Sequence, residues 1–490
     1  MKGKLFIFGI GGTGSRVLKS LVMLASAGVD IEADAIVPII VDPDFANADL
    51  TRTIEQFRRY SSLRDKLSFD STVKNGFFKI PIEDVVNGYR LQLKDTKNKK
   101  FKEFIQYDTL SKTNQALASM LFSRDNLESN MEVGFKGNPN IGSVVLNQFT
   151  DSDDFIEFAA AFKPGDRIFI VSSIFGGTGA SGFPVLLKNL RSIDPNLPNC
   201  DAISNAPIGA ITVLPYFDVI PDPDSAIDSS TFIGKTKAAL HYYENNVTGD
   251  ESSINALYYI GDGRKKQYEN EEGGQTQKNN AHIVELASAL AIANFAHIDD
   301  TDSSMICQPN SDGRIFAPYA VFKEFGIENN VPKAIFGDLS RETRDNLELS
   351  LTQFVLFSKF IVNHLKQSIK LPWAVDNNFD SAFIKTAFID DVRAVVTSYL
   401  TWLDELSNND RGFEPFNLGV SNSDIFDIVN GVKPSKIGSL KAFLKSGMDL
   451  FDTYLDSEYG SLPKNYSKEQ KFVELFYLVT KELVEKKFKF

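Results

Sequence analysis

The sequence predicts a doubly wound α/β fold, a mostly parallel sheet of Rossmann-like type with helices on both faces, followed by a helix-rich C-terminal domain. Three observations predict it. Short apolar runs alternate with segments of helical period through residues 1–298. Two of those runs end in glycine-rich turns that lead straight into helices. Beyond Asp299 the β-runs thin out and amphipathic helical periodicity takes over.

Residues 4–8 are an apolar run ending in glycines, and residues 16–27 take helical periodicity. Residues 36–41, crossed by Pro38 and closed by Asp42, form the second strand, and 77–80 a candidate third. Residues 83–132 are charged and helical in pattern, and read as an insertion. Alternation then resumes: helix 155–162, buried strand 167–172, helix 183–190, strands 208–214 and 256–260. A polar loop at 269–278 leads into a central helix, 280–297, whose Ile283, Leu286, Ala287, Leu290, Ile292 and Phe295 wrap all round it. A helix apolar on every side is buried. In the C-terminal domain, 299–490, helices are expected over 332–369, 381–406, 439–455 and 468–488.

Bulk properties narrow the function classes. A chain of 490 residues predicts two or three domains, and its 40 phenylalanines predict aromatic-rich cores. A formal charge of −12 argues against nucleic-acid or anionic-membrane partners. Cys200 and Cys307 are too few for a disulfide framework or a cysteine zinc site. No apolar run reaches membrane-spanning length. Gly11, Gly12, Gly14 and Arg16 interrupt the apolar N-terminus, so it reads as a first strand rather than a signal peptide, and a cytoplasmic location is expected.

Chemistry concentrates in three glycine-rich segments. Gly9-Ile10-Gly11-Gly12-Thr13-Gly14-Ser15 joins a strand to a helix, where glycines admit a phosphate to the backbone and the helix start offers free N–H groups. Gly176-Gly177-Thr178-Gly179-Ala180-Ser181-Gly182 repeats that arrangement, with the Thr178 and Ser181 hydroxyls as further donors. Either turn alone could merely pack helix on strand; two in one sheet point to both flanking one polyphosphate. Gly134-Phe135-Lys136-Gly137-Asn138-Pro139-Asn140-Ile141-Gly142 is the third, and taken alone reads as a surface turn. No Walker-type P-loop occurs.

In this order the motifs resemble the tubulin and FtsZ superfamily of GTPases. The stretch from Asp166 to Val185, with its Gly-Gly-Thr-Gly-Ala-Ser-Gly, is similar to the FtsZ signature loop and its strand. Gly137-Asn138-Pro139 resembles the loop that senses the γ-phosphate, and Ile211 through Phe217 the strand and turn beside the ribose. The resemblance spans residues 4–298, interrupted by the insertion. It implies a bound GTP or GDP with Mg²⁺, slow hydrolysis, and self-assembly or switching, with the C-terminal helices recruiting a protein partner. Gly11, Gly12 and Thr13 would hold the α- and β-phosphates, Gly176, Gly177, Thr178, Gly179 and Ser181 the β- and γ-phosphates, and Gly137 and Asn138 the γ-phosphate. Asn279 or Asn280 would read the base, although helix capping would equally account for them. Asp299, Asp300 and Asp302 stand where the family places the carboxylates that complete the next subunit's site, without the family's Asn-x-Asp-x-x-Asp spacing.

A competing reading starts from Asp42. An acidic residue closing the second strand serves the ribose hydroxyls in NAD-binding domains. With Asp44, Asn47 and Arg52 it also resembles the ATP site of ubiquitin-activating-type adenylyltransferases. Such an enzyme has no need of the second glycine turn, and a dehydrogenase needs a proton-transfer group, for which His241, His282, His297 and His364 are the candidates. A third option is a scaffold with an inert, occupied pocket. Asp218, Asp222, Asp224 and Asp228 lie among prolines and read as a loop rather than a metal site.

Overall fold

Alternation of apolar runs and helices folds as a sheet because the apolar strands are short, buried on both faces and joined by crossover helices. The computed structural model describes residues 2–44, 46–69, 76–93, 96, 98–131, 135, 138–148, 150, 152–220, 231–263, 266–268, 279–324, 331–435, 447–488 and 490. Strands β1 (Leu5–Ile10), β2 (Ile36–Val41), β3 (Arg167–Ser173), β4 (Ile208–Val213), β5 (Ala256–Ile260) and β6 (Val321–Glu324) form one sheet in the order β2-β1-β3-β4-β5-β6. Every neighbouring pair is parallel. Single parallel bridges from Ile82 to Ile36 and from Arg90 to Ile40 add a rudimentary further strand beside β2.

Helices cover both faces. Phe6 and Phe8 of β1 meet Phe158 of α4 (Asp153–Ala161) at 5.4 and 5.1 Å between ring centroids. On that face α5 (Gly177–Arg191) packs against α3 (Pro139–Leu146). On the opposite face Phe169 of β3 meets Phe295 of the central helix α6 (Ile283–His297) at 5.4 Å. There α1 (Gly11–Ser26) packs against both α6 and α2 (Ala48–Arg64).

The C-terminal region is helical as expected: α7 (Arg341–Asn363), α8 (Ala387–Ser407), α9 (Gly447–Glu458) and α10 (Lys468–Lys487). The helix expected over 332–369 begins only at Arg341, where the Ser340 side chain accepts the Thr343 N–H. Residues 333–334 instead pair with Gly412–Phe413. Phe354, Phe357, Phe360, Trp373, Phe451 and Phe476 form an aromatic core between these helices. Buried apolar side chains run unbroken from this core into the sheet. Among the described residues no helix is long and apolar enough to cross a membrane.

Three expectations about the elements are corrected. The sheet does not end at residue 298, because β6 comes from beyond it; four residues with mostly exposed side chains carry little apolar signal. Residues 77–80 are a turn, not a strand: Phe77 and Phe78 are apolar because they anchor on Phe354 and Phe357 of α7. The 83–132 insertion begins with a segment that bridges to β2, and its helices start at Phe101.

Candidate functional site

β1 leads through α1 to β2 on one side, whereas its neighbour β3 leads through α5 to β4 on the other. The carboxyl ends of β1 and β3 are therefore the point where strand order reverses, the crevice in which open α/β sheets bind ligands. Both glycine turns open into it. At Gly11, φ is +70°, a conformation glycine adopts freely, and a methyl group there would lie 3.4 Å from Thr178 Cβ and 3.8 Å from the Gly179 nitrogen. The two turns thus lie so close that a side chain added at Gly11 would touch Thr178. A methyl group on Gly179 would sit 2.5 Å from the Ser173 carbonyl oxygen, so only glycine lets α5 start this close to β3.

Neither helix start is capped. Ile10 precedes α1 and Gly176 precedes α5, neither makes a side-chain cap hydrogen bond, and neither first turn holds an acidic residue. Two sets of unsatisfied helix N–H groups and two positive dipole ends converge here, an arrangement suited to a polyanion. Gly12, Gly176 and Thr178 are half-buried and face the opening, while Gly11, Thr13, Gly177 and Gly179 lie beneath. Asn138 is half-buried at the start of α3, its side chain making no cap bond, and Gly137 lies outside the described residues. Ser181 is held from within α5: its hydroxyl donates to the Gly177 carbonyl at 2.7 Å and its side chain lies against Gly142.

Beside the turns, Arg16, Tyr216, Phe217, Asn279, Asn280 and Glu285 surround a cavity of about 20 Å³. Arg16 lines this space and is tied to the groups around it. Its Nε donates to Glu285 at 2.6 Å, and its terminal nitrogens reach Asp49 at 3.4 Å and the Tyr216 hydroxyl at 2.7 Å. Tyr216, its phenol pushed up by burial, stays protonated and donates to Glu285 at 2.9 Å. Asn279 donates through its side chain to Asp49 at 3.1 Å, while Asn280 is exposed. Neither asparagine caps the central helix. That role falls to His282, whose Nδ1 accepts from Val284, with Glu285 completing the box.

The residues of the adenylating reading are occupied structurally. Asp42 is buried, accepts the Asp44 N–H at 3.0 Å, and is pushed up to about 6 by burial. Asn47 caps α2, and Arg52 binds Asp49, Glu405 and the Asn279 carbonyl. Of the histidines, His241 is exposed, His297 pairs with Asp30 at 3.2 Å, and His364 pairs with Asp452 at 2.7 Å between α7 and α9.

Asp299, Asp300 and Asp302 follow the C-terminus of α6, at the amino edge of the sheet. Arg167, the first residue of β3, donates to the Phe295 and Ile298 carbonyls and pairs with Asp300. Asp299 accepts from Thr301 and Asp302 from Ser304, bonds that hold both carboxyls below their ordinary range. A seven-residue strand at ~3.3 Å per residue puts this edge roughly 20 Å from the glycine turns. As catalytic groups for the crevice of their own chain, the three aspartates are therefore out of reach; all three are exposed and face outward.

Sequence reading missed Arg16, Asp49, Glu285 and Glu405. Arg16 alone left a signal, standing one helical turn after Gly12. A larger cavity of about 320 Å³, lined largely by apolar residues including Ile283, Leu290 and Leu347, lies between α6 and α7 and away from the turns.

No family model and no curated protein matches the chain. Solved structures do. CetZ2 from Haloferax volcanii, in a GTPγS-bound protofilament, is 14% identical at a TM-score of 0.29, covering 61% of each chain. An empty FtsZ dimer from M. jannaschii is 15% identical at 0.25, covering 53% of this chain and 46% of that one. TubZ-Bt, from a helical two-stranded filament, is 13% identical at 0.25, covering 60% and 54%. The chain thus spans less than two thirds of the length of these structures. Likenesses of this size bear no weight on chemistry or assembly, and the α/β assignment rests on the strand order itself.

Proposed function

We propose that the chain binds a guanine nucleoside di- or triphosphate across the two glycine turns, as a GTPase of the tubulin and FtsZ type. The observation that carries this reading is the close approach of Gly11 to Thr178 at the point where strand order reverses, with two uncapped helix starts aimed into one crevice. Gly12, Gly176 and Thr178 would face the phosphates. Mg²⁺ would enter with them, since this cation keeps phosphate and water ligands rather than a full protein cage. Glu285 lines the cavity and Asp49 lies behind it, paired with Arg16; as carboxylate acceptors they match the N1–H and amino hydrogens of guanine and not the N1 acceptor of adenine. Seating a base requires Arg16 to swing from these carboxylates, and its guanidinium already lies beside Gly12.

Hydrolysis would be completed by Asp299, Asp300 and Asp302 of a second copy, carboxylates able to orient a water. Mass spectrometry of nucleotide retained by the purified protein tests the ligand: GTP or GDP is expected, and ATP, NAD or no nucleotide overturns the reading. One observation favours a second reading, a scaffold that takes no nucleotide, unlike the occupied one considered from the sequence: the cavity of about 20 Å³ is too small for a base as it stands. Protein that retains no nucleotide and shows no turnover at any concentration would decide for it.

A further inference from the structure

An unbroken ionic chain runs from the crevice into the C-terminal helices. Glu285 of α6 holds Arg16 of α1 at 2.6 Å, and Arg16 meets Asp49 of α2 at 3.4 Å. Asp49 holds Arg52 at 2.5 Å, Arg52 meets Glu405 of α8 at 3.1 Å, and Glu405 holds Lys19 of α1 at 2.9 Å. Three cations alternate with three anions, and every side chain except Arg52 is at most 10% exposed. Burying six charges costs desolvation free energy that their pairing offsets only with good geometry, so the cluster is a poor source of stability and a good source of fixed position.

What Glu405 fixes is the backbone that carries the asparagines. The carboxylate oxygen that holds Lys19 also accepts the Ala281 N–H at 3.1 Å. Its partner Arg52 donates to the Asn279 carbonyl at 2.8 Å, and Asn409, one turn after Glu405, donates to the Ala281 carbonyl. Asp49 accepts the Asn279 N–H as well, so the 279–281 segment hangs from Asp49, Arg52, Glu405 and Asn409, not from the helix it precedes. Among the described residues, Glu405 and Arg52 make no hydrogen bond or ion pair with the glycine turns.

We propose that Glu405 is a positioning residue for nucleobase recognition, holding Asn279 and Asn280 at the crevice from the C-terminal region. The assignment rests on the nucleotide reading proposed for the crevice. A positioning role for the base end separates base from phosphate: Glu405→Gln lowers GTP affinity about tenfold, the loss of one charged hydrogen bond, and leaves inorganic tripolyphosphate affinity unchanged. In a double-mutant cycle, Glu405→Gln adds little to Asn280→Ala, because both remove the same contact.

Isothermal titration of GTP and of tripolyphosphate, on variants whose thermal melts show a folded chain, tests this. Asn409→Ala, which loses the neighbouring bond to Ala281, makes the same measurement if Glu405→Gln does not fold. Equal GTP affinity in the variant and the unaltered protein overturns the assignment. So does a parallel loss of both ligands, which marks general damage, or full additivity with Asn280→Ala. Unaltered protein that binds tripolyphosphate but shows no preference for GTP over ATP overturns the guanine reading, and the assignment falls with it. Base-selective loss in the variant alone overturns neither.

Discussion

The two edges of the parallel sheet are built from opposite chemistry. At the carboxyl edge, two helix starts present backbone N–H groups with no cap and no carboxylate in their first turns. At the amino edge, three aspartates follow one another within four residues, each hydrogen-bonded or ion-paired and each exposed. One edge needs an anion and the other displays them, roughly 20 Å apart in a single chain. The difference teaches that, if the edges act together, they do so between copies.

The largest expected effect breaks the carboxyl edge. Gly179→Val drives a side chain into the Ser173 carbonyl, so α5 can no longer start against β3, and nucleotide retention is lost outright by mass spectrometry. Next comes Arg16→Met, which leaves Asp49 and Glu285 buried with one cation fewer. Breaking a buried pair in this way costs about 3–5 kcal/mol, read as a lower midpoint in denaturant unfolding.

How much of this was legible in the sequence depends on whether the cause is local. The glycine turns were legible because the need for glycine lies in the backbone of a few consecutive residues, as at Gly11 and Gly179. The ionic chain was not, because Arg16, Asp49, Glu285 and Glu405 meet only after α1, α2, α6 and α8 have packed. Phe77 and Phe78 were misread because an apolar pair looks the same whether it extends a strand or anchors on helices packed from far along the chain. Strand β6 left too short and too polar a trace to be seen. Ser181 carried the right residue type for a phosphate ligand, yet its hydroxyl has a nearer acceptor one helical turn back.

A smaller effect comes from Asp42, at the crevice's flank. Its folded-state pKa of about 6 lies above the ordinary carboxylate value of 3.8, so the folded chain holds this proton more tightly than the unfolded one. Stability from this group is then greatest below about pH 4 and falls as pH rises to about 6, on the order of 1–3 kcal/mol in all. Asp42→Asn removes that decline. Unfolding curves at pH 4 and pH 7 check the sign: the gap between them should narrow in the variant, and an unchanged gap would mean that Asp42 is solvated.

The smallest effect sharpens the comparison most, because it leaves one edge intact while altering the other. Asp300→Asn weakens the pairing with Arg167 on an exposed turn, so nucleotide affinity and folding should stay as they were. Turnover per chain, which should rise with protein concentration in the unaltered protein, should fall about tenfold in the variant, less than the roughly 10²–10⁴-fold of a lone acid–base group because Asp299 and Asp302 remain. Mixing then decides between edges acting in one chain and edges acting across two. Gly179→Val chains have a broken carboxyl edge and a sound Asp300; Asp300→Asn chains have the reverse. If a site is built from the turns of one copy and the aspartates of the next, an equimolar mixture regains turnover that neither variant has alone. A mixture no more active than its parts would confine the chemistry to a single copy, and the acidic turn would then serve only to close the end of α6.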